Sequence, residues 1–233
     1  MRFTLLTLFP EPIESYFASS IMARAVEKGL VEYRCVNIRD FALDTHRTCD
    51  DAPYGGGAGM VLKAEPLAAA LDSVGAGEIH TVYPTPAGRP LTTEVIDRFC
   101  AQQELVLICG RYEGIDQRII DLYVDDEVSI GDYVLSSGEL AGLVIVDAVY
   151  RHLDGVIASE SLEEESFQDG LLEYPHYTRP EVFRSRTVPE VLLSGHHERI
   201  RNWRMEQRIE KTRRMRPDLY EAWLKRTEGK DKE

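Results

Sequence analysis

Hydrophobic residues fall in short runs that alternate with stretches of helical spacing along the first two thirds of the chain. Arg2–Leu8 (RFTLLTL) is an apolar run of strand length, and Pro10 stops it. Ser15–Lys28 carries helical spacing, with Gly29 placed to end the helix. Val31–Ile38 (VEYRCVNI) alternates as a strand does, and Thr45–Met60 is a loop ending in Pro53-Tyr54-Gly55-Gly56-Gly57-Ala58-Gly59. Further on, the pattern predicts a helix over Ala64–Ser73, a strand over Ile79–Tyr83, a helix over Thr92–Ala101 and a strand over Leu105–Cys109. Gly114–Leu122 reads as helix, Tyr123–Ser129 as a short strand and Gly138–Arg151 as an apolar helix. Strands alternating with helices imply an α/β domain on a mainly parallel sheet.

The pattern changes around residues 152–180, which are rich in Ser, Glu, Gly and Pro without sustained periodicity and read as a linker or mobile loop. Ser194 is placed to cap a helix over Gly195–Arg213, and Pro217 sits at the first-turn position of a helix over Pro217–Arg226. The tail Thr227–Glu233 reads as frayed. No internal repeat or low-complexity tract interrupts the chain.

Charge sharpens this division. The net charge of −13 argues against a polyanion partner, yet it is unevenly spread. Residues 184–226 hold 12 Lys and Arg against 6 Asp and Glu, while residues 1–183 hold 13 against 31. Such segregation points the C-terminal segment toward a polyanion; a solvated helical face is the plainer alternative. The four cysteines, Cys35, Cys49, Cys100 and Cys109, form no CxxC pair, which fits a reducing compartment and neither a zinc ribbon nor a disulfide framework. The N-terminal apolar run is too short for a signal peptide and no stretch is long enough for a membrane span, so a cytoplasmic protein is expected.

Three candidate segments lie at the ends of predicted strands: Tyr83-Pro84-Thr85-Pro86-Ala87-Gly88, Ile108-Cys109-Gly110-Arg111-Tyr112-Glu113-Gly114-Ile115-Asp116 and Ser129–Glu139 (SIGDYVLSSGE). In open parallel sheets, ligands bind beyond the carboxyl ends of the strands. Gly110 lets backbone approach a ligand, and the mixture of apolar residues and glycines in the third loop suits a flat heteroaromatic ring. The glycine loop PYGGGAG fits neither GxGxxG nor a Walker motif, and a tight structural turn would also explain it.

PYGGGAGM, CGRYEGID, SIGDYVLSSGEL, LLEYPHYTRP and VLLSGHHERIRNWR together resemble the signature segments of bacterial tRNA (guanine-N1)-methyltransferases, in order and over nearly the whole chain. The resemblance implies a SPOUT-class α/β fold with a deep trefoil knot. It divides the chain into a knotted cofactor-binding domain (1–157), a flexible linker (158–180) and a helical tRNA-binding domain (181–233). It also implies a homodimer with each active site shared between subunits, S-adenosylmethionine as methyl donor, supporting Mg2+, and methylation of N1 of guanine at tRNA position 37. Carried over residue by residue, the cofactor contacts are Tyr83, Pro84, Thr85, Gly110, Tyr112, Glu113, Ile130, Gly131, Asp132, Tyr133, Val134 and Leu135. Ser137 stands where the family usually has a second glycine and is left out of that set.

Guanine N1 carries a proton at neutral pH, so transfer to it needs a general base, and the charge that develops on O6 needs a fixed donor. By resemblance the base is Glu165, before Ser166-Phe167, where the family usually carries an aspartate; Asp169 is the fallback. Without the resemblance, the Glu163-Glu164-Glu165 run reads as solvated. Arg151 matches the arginine that engages O6, although a cation there also complements the C-terminus of its helix. No ligand cluster announces a protein-held metal, and the adjacent His196 and His197 diverge on a helix. Arg201, Arg204, Arg208 and Lys211 recur on one helical face suited to phosphates, with Ile200, Trp203 and Ile209 anchoring the next face. His176 and Tyr177 fit either stacking on an extruded base or a hinge. Two rivals remain, a non-catalytic RNA-binding protein and a doubly wound enzyme acting on a small nucleotide. Retention of S-adenosylmethionine in dialysis excludes the first, and salt-dependent RNA affinity excludes the second.

Overall fold

The computed structural model describes residues 1–158 and 165–230, which separate into two compact units, Met1–Ile157 and Ala158–Glu233. The glutamates Glu163 and Glu164 lie outside the described residues.

In the first unit, β1 (Arg2–Thr7), β2 (Glu32–Asn37), β5 (Thr81–Pro90), β6 (Glu104–Ile108) and β7 (Asp126–Ser129) form one parallel sheet in the order β2-β1-β6-β5-β7. Strands that are apolar on both sides need cover on both faces, and they have it. Phe3, Leu5, Leu105 and Leu107 point into one core with α1 (Pro10–Phe17), α2 (Ser20–Glu27), α4 (Thr93–Cys100) and α6 (Gly138–Tyr150). Leu6, Val106 and Ile108 point into the other, with α3 (Ala64–Asp72) and α5 (Gln117–Tyr123). The alternation along β1 and β6 is the period-2 signature of a pleated strand read out in three dimensions.

Several elements differ from the sequence reading, each for a local reason. The helix expected over Ser15–Lys28 is two helices, α1 and α2. Ser19 Oγ donates to the Ser15 carbonyl at 2.6 Å and Ser20 takes φ +55, so the serines draw the backbone out of the helical ladder. Pro10, expected only to end β1, opens α1, where its missing N–H costs nothing. The loop Thr45–Met60 contains β3 (Asp50–Asp51), which pairs antiparallel with β4 (Val61–Leu62). Strand β5 runs on to Pro90, but its register to β7 breaks between Pro84 and Arg89, so the expected loop at 85–88 leaves the ladder as a bulge.

In the second unit, β8 (Val182–Phe183) and β9 (Arg186–Thr187) form a hairpin, followed by α7 (Glu190–Leu193), α8 (His197–Met215) and α9 (Pro217–Lys230). Ser194 does not cap α8. Its hydroxyl donates to the Val191 carbonyl at 2.7 Å and accepts from the His196 N–H at 3.2 Å, and α8 begins three residues later.

The basic stripe on α8 is corrected most. Arg208 is buried and grips both oxygens of Asp169 at 2.9 and 2.5 Å, while the Arg204 guanidinium lies 4.5 Å over the Tyr174 ring. Thr212, also buried, accepts from the Leu172 N–H at 2.8 Å. This face of α8 holds the 169–174 segment, because an arginine stem covers apolar surface and its fork satisfies a carboxylate better than water-exposed spacing suggests. Residues 165–174, read as part of a linker, form a turn with φ +82 at Phe167 and +84 at Gly170, closed by Phe167 N–H donating to the Leu171 carbonyl at 2.8 Å.

Candidate active site

Three strand-end segments converge at one edge of the parallel sheet. Tyr83–Pro86 on β5, Gly110–Gly114 after β6 and Val128–Gly138 after β7 contribute to the lining of a cavity of about 210 Å³. That is several times the ~30 Å³ a liquid water occupies, so the space suits an organic ligand. It lies at the carboxyl ends of the strands, where backbone groups face a ligand with no further strand partner.

Close backbone approach builds its floor. Gly138 opens α6 and donates to the Gly110 carbonyl at 2.8 Å; a Cβ on Gly138 would stand 2.5 Å from Gly110 N. A Cβ on Gly110 would stand 2.9 Å from the Tyr83 ring. The start of α6 is tied to the end of β1 as well, since Thr7 Oγ1 donates to the buried Glu139 carboxylate at 2.6 Å. Burial pushes the Tyr83 phenol above its ordinary range, which keeps it a neutral hydroxyl at any working pH. Tyr112 holds φ +61, an uncommon conformation for a bulky residue, and its hydroxyl donates to Asp50 Oδ1 at 3.1 Å. Burial, then the Asp50 contact, raises its pKa too. The glycine loop reaches the same turn. The Glu113 N–H donates to the Met60 carbonyl at 2.9 Å, and Gly59, at φ +84, lies so close to the Glu113 side chain that a Cβ would overlap it.

Of the twelve cofactor residues expected from sequence, all but Asp132 line this cavity. Asp132 sits at the centre of a three-residue turn in which the Tyr133 N–H donates to the Gly131 carbonyl at 2.9 Å, and this throws its side chain to solvent. Ser137, left out of the expected set, lines the cavity, as do Ser136, Gly138 and Ala141. Arg111 was missed as well. It lines the cavity, donates to the Ser136 carbonyl at 3.0 Å, which ties two of the lining segments together, and lies 4.4 Å over the Phe9 ring. Its place inside CGRYEGID was the available signal.

The two candidate catalytic residues stand elsewhere in the chain. Arg151 is the C-cap of α6 in the first unit, half-buried, and its charge tempers the rise that burial imposes on the Tyr150 phenol. Glu165 is half-buried in the second unit, in the turn before Phe167. Asp169 is committed to Arg208.

Fold and cavity together define an α/β protein with a ligand site at the strand ends of a parallel sheet. The family model for tRNA (Guanine-1)-methyltransferase TrmD matches residues 1–222. A tRNA (guanine-N(1)-)-methyltransferase of Treponema denticola is 62% identical over 234 residues, spanning 98% of this chain and 96% of its own. Those of Treponema pallidum and Borreliella burgdorferi are 60% and 58% identical, covering 95% and 96% of this chain and 89% and 95% of theirs. The chain belongs to the tRNA (guanine-1)-methyltransferase family, whose methyl donor is S-adenosylmethionine.

Proposed function

We propose that this chain methylates N1 of the guanine at tRNA position 37, immediately 3′ of the anticodon, within a SPOUT-class knotted domain. The observation that carries the reading is the strand-end cavity, lined by eleven of the twelve residues that the family motifs mark for S-adenosylmethionine. The knot reading draws support from the segment after β7, which crosses the β6–α5 turn backbone to backbone at Gly138 and Gly110 before entering α6. When bound, S-adenosylmethionine supplies an electrophilic methyl carbon on a sulfonium.

This chain's own groups do the rest. Neutral Tyr83, the cradle of Gly110 and Gly138 and the apolar side chains Ile130, Val134 and Leu135 suit a heteroaromatic ring in the cavity. Glu165 takes the N1 proton as general base, and Arg151 stabilises the charge that grows on O6. Glutamate is one methylene longer than the family's usual aspartate and carries the same carboxylate chemistry. Mg2+ would assist as a hydrated ion held by few protein ligands.

A homodimer that shares each site between subunits belongs to this reading. Leu140 and Val144, one turn apart on α6, are 54% and 45% exposed although most of that helix is buried, and Val134 is 82% exposed; these are apolar side chains that a second copy would cover. Residues 181–233 hold tRNA, consistent with their positive balance. A cytoplasmic setting fits four unpaired thiols and the finding that no described helix is long and apolar enough to cross a membrane.

Incubation with unmodified tRNA and labelled S-adenosylmethionine, followed by nucleoside mass spectrometry, tests the reaction. Glu165→Gln is expected to keep S-adenosylmethionine affinity and lose at least a hundredfold in methyl transfer. Near-normal turnover of that variant removes Glu165 from the role.

A further inference from the structure

Arg208 and Arg204 face the 169–174 segment, so a phosphate-facing surface of the second unit has to draw on other cations. We propose that the tip of the β8–β9 hairpin is a contact for the RNA backbone, resting on the reading above that the substrate is tRNA. The hairpin pairs Val182 with Thr187 and Phe183 with Arg186, which leaves Arg184 and Ser185 as a two-residue turn. Both turn residues have positive φ, +48 and +63. That is the type I′ arrangement, which Asn-Gly fills without strain and which a residue as large as arginine fills only at a cost. Strain of this kind persists where the side chain has a use.

The hairpin also buries nothing that would explain it. All four of its strand residues are exposed, and Phe183 shows 62% of its surface to solvent. A two-stranded hairpin with no packed face is marginal by itself. What it presents is chemistry for a polyanion. The Arg184 guanidinium lies 5.3 Å over the Phe183 ring, which holds the planar fork at the tip. Arg179 and Arg186 flank it, and Glu181 is the one acidic residue between positions 179 and 188. A fork beside an open aromatic face matches a phosphate beside an unstacked base. The buried core of a protein–protein contact is more apolar than the rest of the surface, and the hairpin offers only Val182 and Phe183 toward one.

The test uses the full chain and an unmodified tRNA transcript, with binding measured across a salt series. Arg184→Gly removes the cation and suits the turn, since glycine adopts positive φ without strain, so weaker binding cannot be ascribed to a lost hairpin. Combined with Arg186→Gln, it is expected to lower affinity about tenfold near ~0.1 M salt and to reduce the slope of log K against log salt by roughly one to two. S-adenosylmethionine affinity is expected to hold, and Arg184→Lys to keep most of the salt slope. Affinity within twofold of the unaltered chain, with an unchanged salt slope, overturns the assignment. The unaltered chain separates this failure from a failure of the reaction itself. If it methylates guanine N1 while the variants bind normally, only the hairpin assignment falls; if RNA binding depends on the hairpin without methylation, the hairpin stands and the proposed reaction falls.

Discussion

Gly138→Ala sets two opposing effects against each other. Gly138 is the first residue of α6 and has an ordinary φ, so helix propensity alone says that alanine should stabilise, by at most ~1 kcal/mol. Packing says the opposite. The new Cβ would stand 2.5 Å from Gly110 N and 2.9 Å from both Cys109 C and Gly110 O, all backbone atoms that cannot swing aside. The 2.8 Å bond from Gly138 N to the Gly110 carbonyl holds the two segments at that distance. Overpacking of this kind typically costs about 1–3 kcal/mol, and contacts this short against fixed backbone belong in the upper part of that range, so the clash wins by roughly 1–2 kcal/mol. For a unit of this size that lowers Tm by roughly 2–8 °C. Because Gly110 and Gly138 both line the cavity, the strain also opens its wall, and S-adenosylmethionine affinity is expected to fall at least about tenfold, or ~1.4 kcal/mol. Gly142→Ala serves as the control on the same helix. Its Cβ would meet the Cys109 sulfur at 3.2 Å, a contact that a small shift relieves, and cofactor affinity should hold. Thermal unfolding and titration calorimetry read both quantities. A Gly138→Ala protein that melts higher and binds S-adenosylmethionine normally refutes the packing argument.

Asp169→Asn leaves the buried Arg208 guanidinium without its carboxylate; with Asp169 half exposed, the second unit is expected to lose about 1–2 kcal/mol, read by denaturant unfolding. Arg208→Gln should likewise destabilise that unit, yet leave the salt slope of tRNA binding unchanged, because its fork faces Asp169; a slope reduced by one would return Arg208 to the RNA surface. Burial, reinforced by Glu14, pushes the Cys35 thiol up to about 12, so at pH 8 it carries roughly three orders of magnitude less thiolate than an open cysteine. Mass spectrometry after brief iodoacetamide treatment of the native chain should therefore find Cys35 unmodified, with alkylation appearing only after unfolding.

The strands β1 and β6 and the helices α3, α4 and α6 were legible because each is a local property. A run of apolar residues or a spacing of three and four needs only its own neighbours along the chain. The positions of the cavity-lining loops were legible for the same reason, since each follows a strand. That Ser15–Lys28 breaks in two was not, because the competing serine bonds and the stacking of Phe17 on Tyr33 arise only once the sheet exists.

Which loop residues touch the cavity was decided by contacts far apart in sequence: Gly110 against Gly138, Gly59 against Glu113, Thr7 bonded to Glu139. No periodicity encodes these meetings, so Asp132 was included and Ser137 and Arg111 were left out. The basic face of α8 is the sharpest instance. Spacing established that Arg201, Arg204, Arg208 and Lys211 share a side of the helix, but a 3.6-residue period has no sign and cannot say which of them turn inward. The Asp169 carboxylate and the Tyr174 ring decided that, since a charged fork goes where its partner waits.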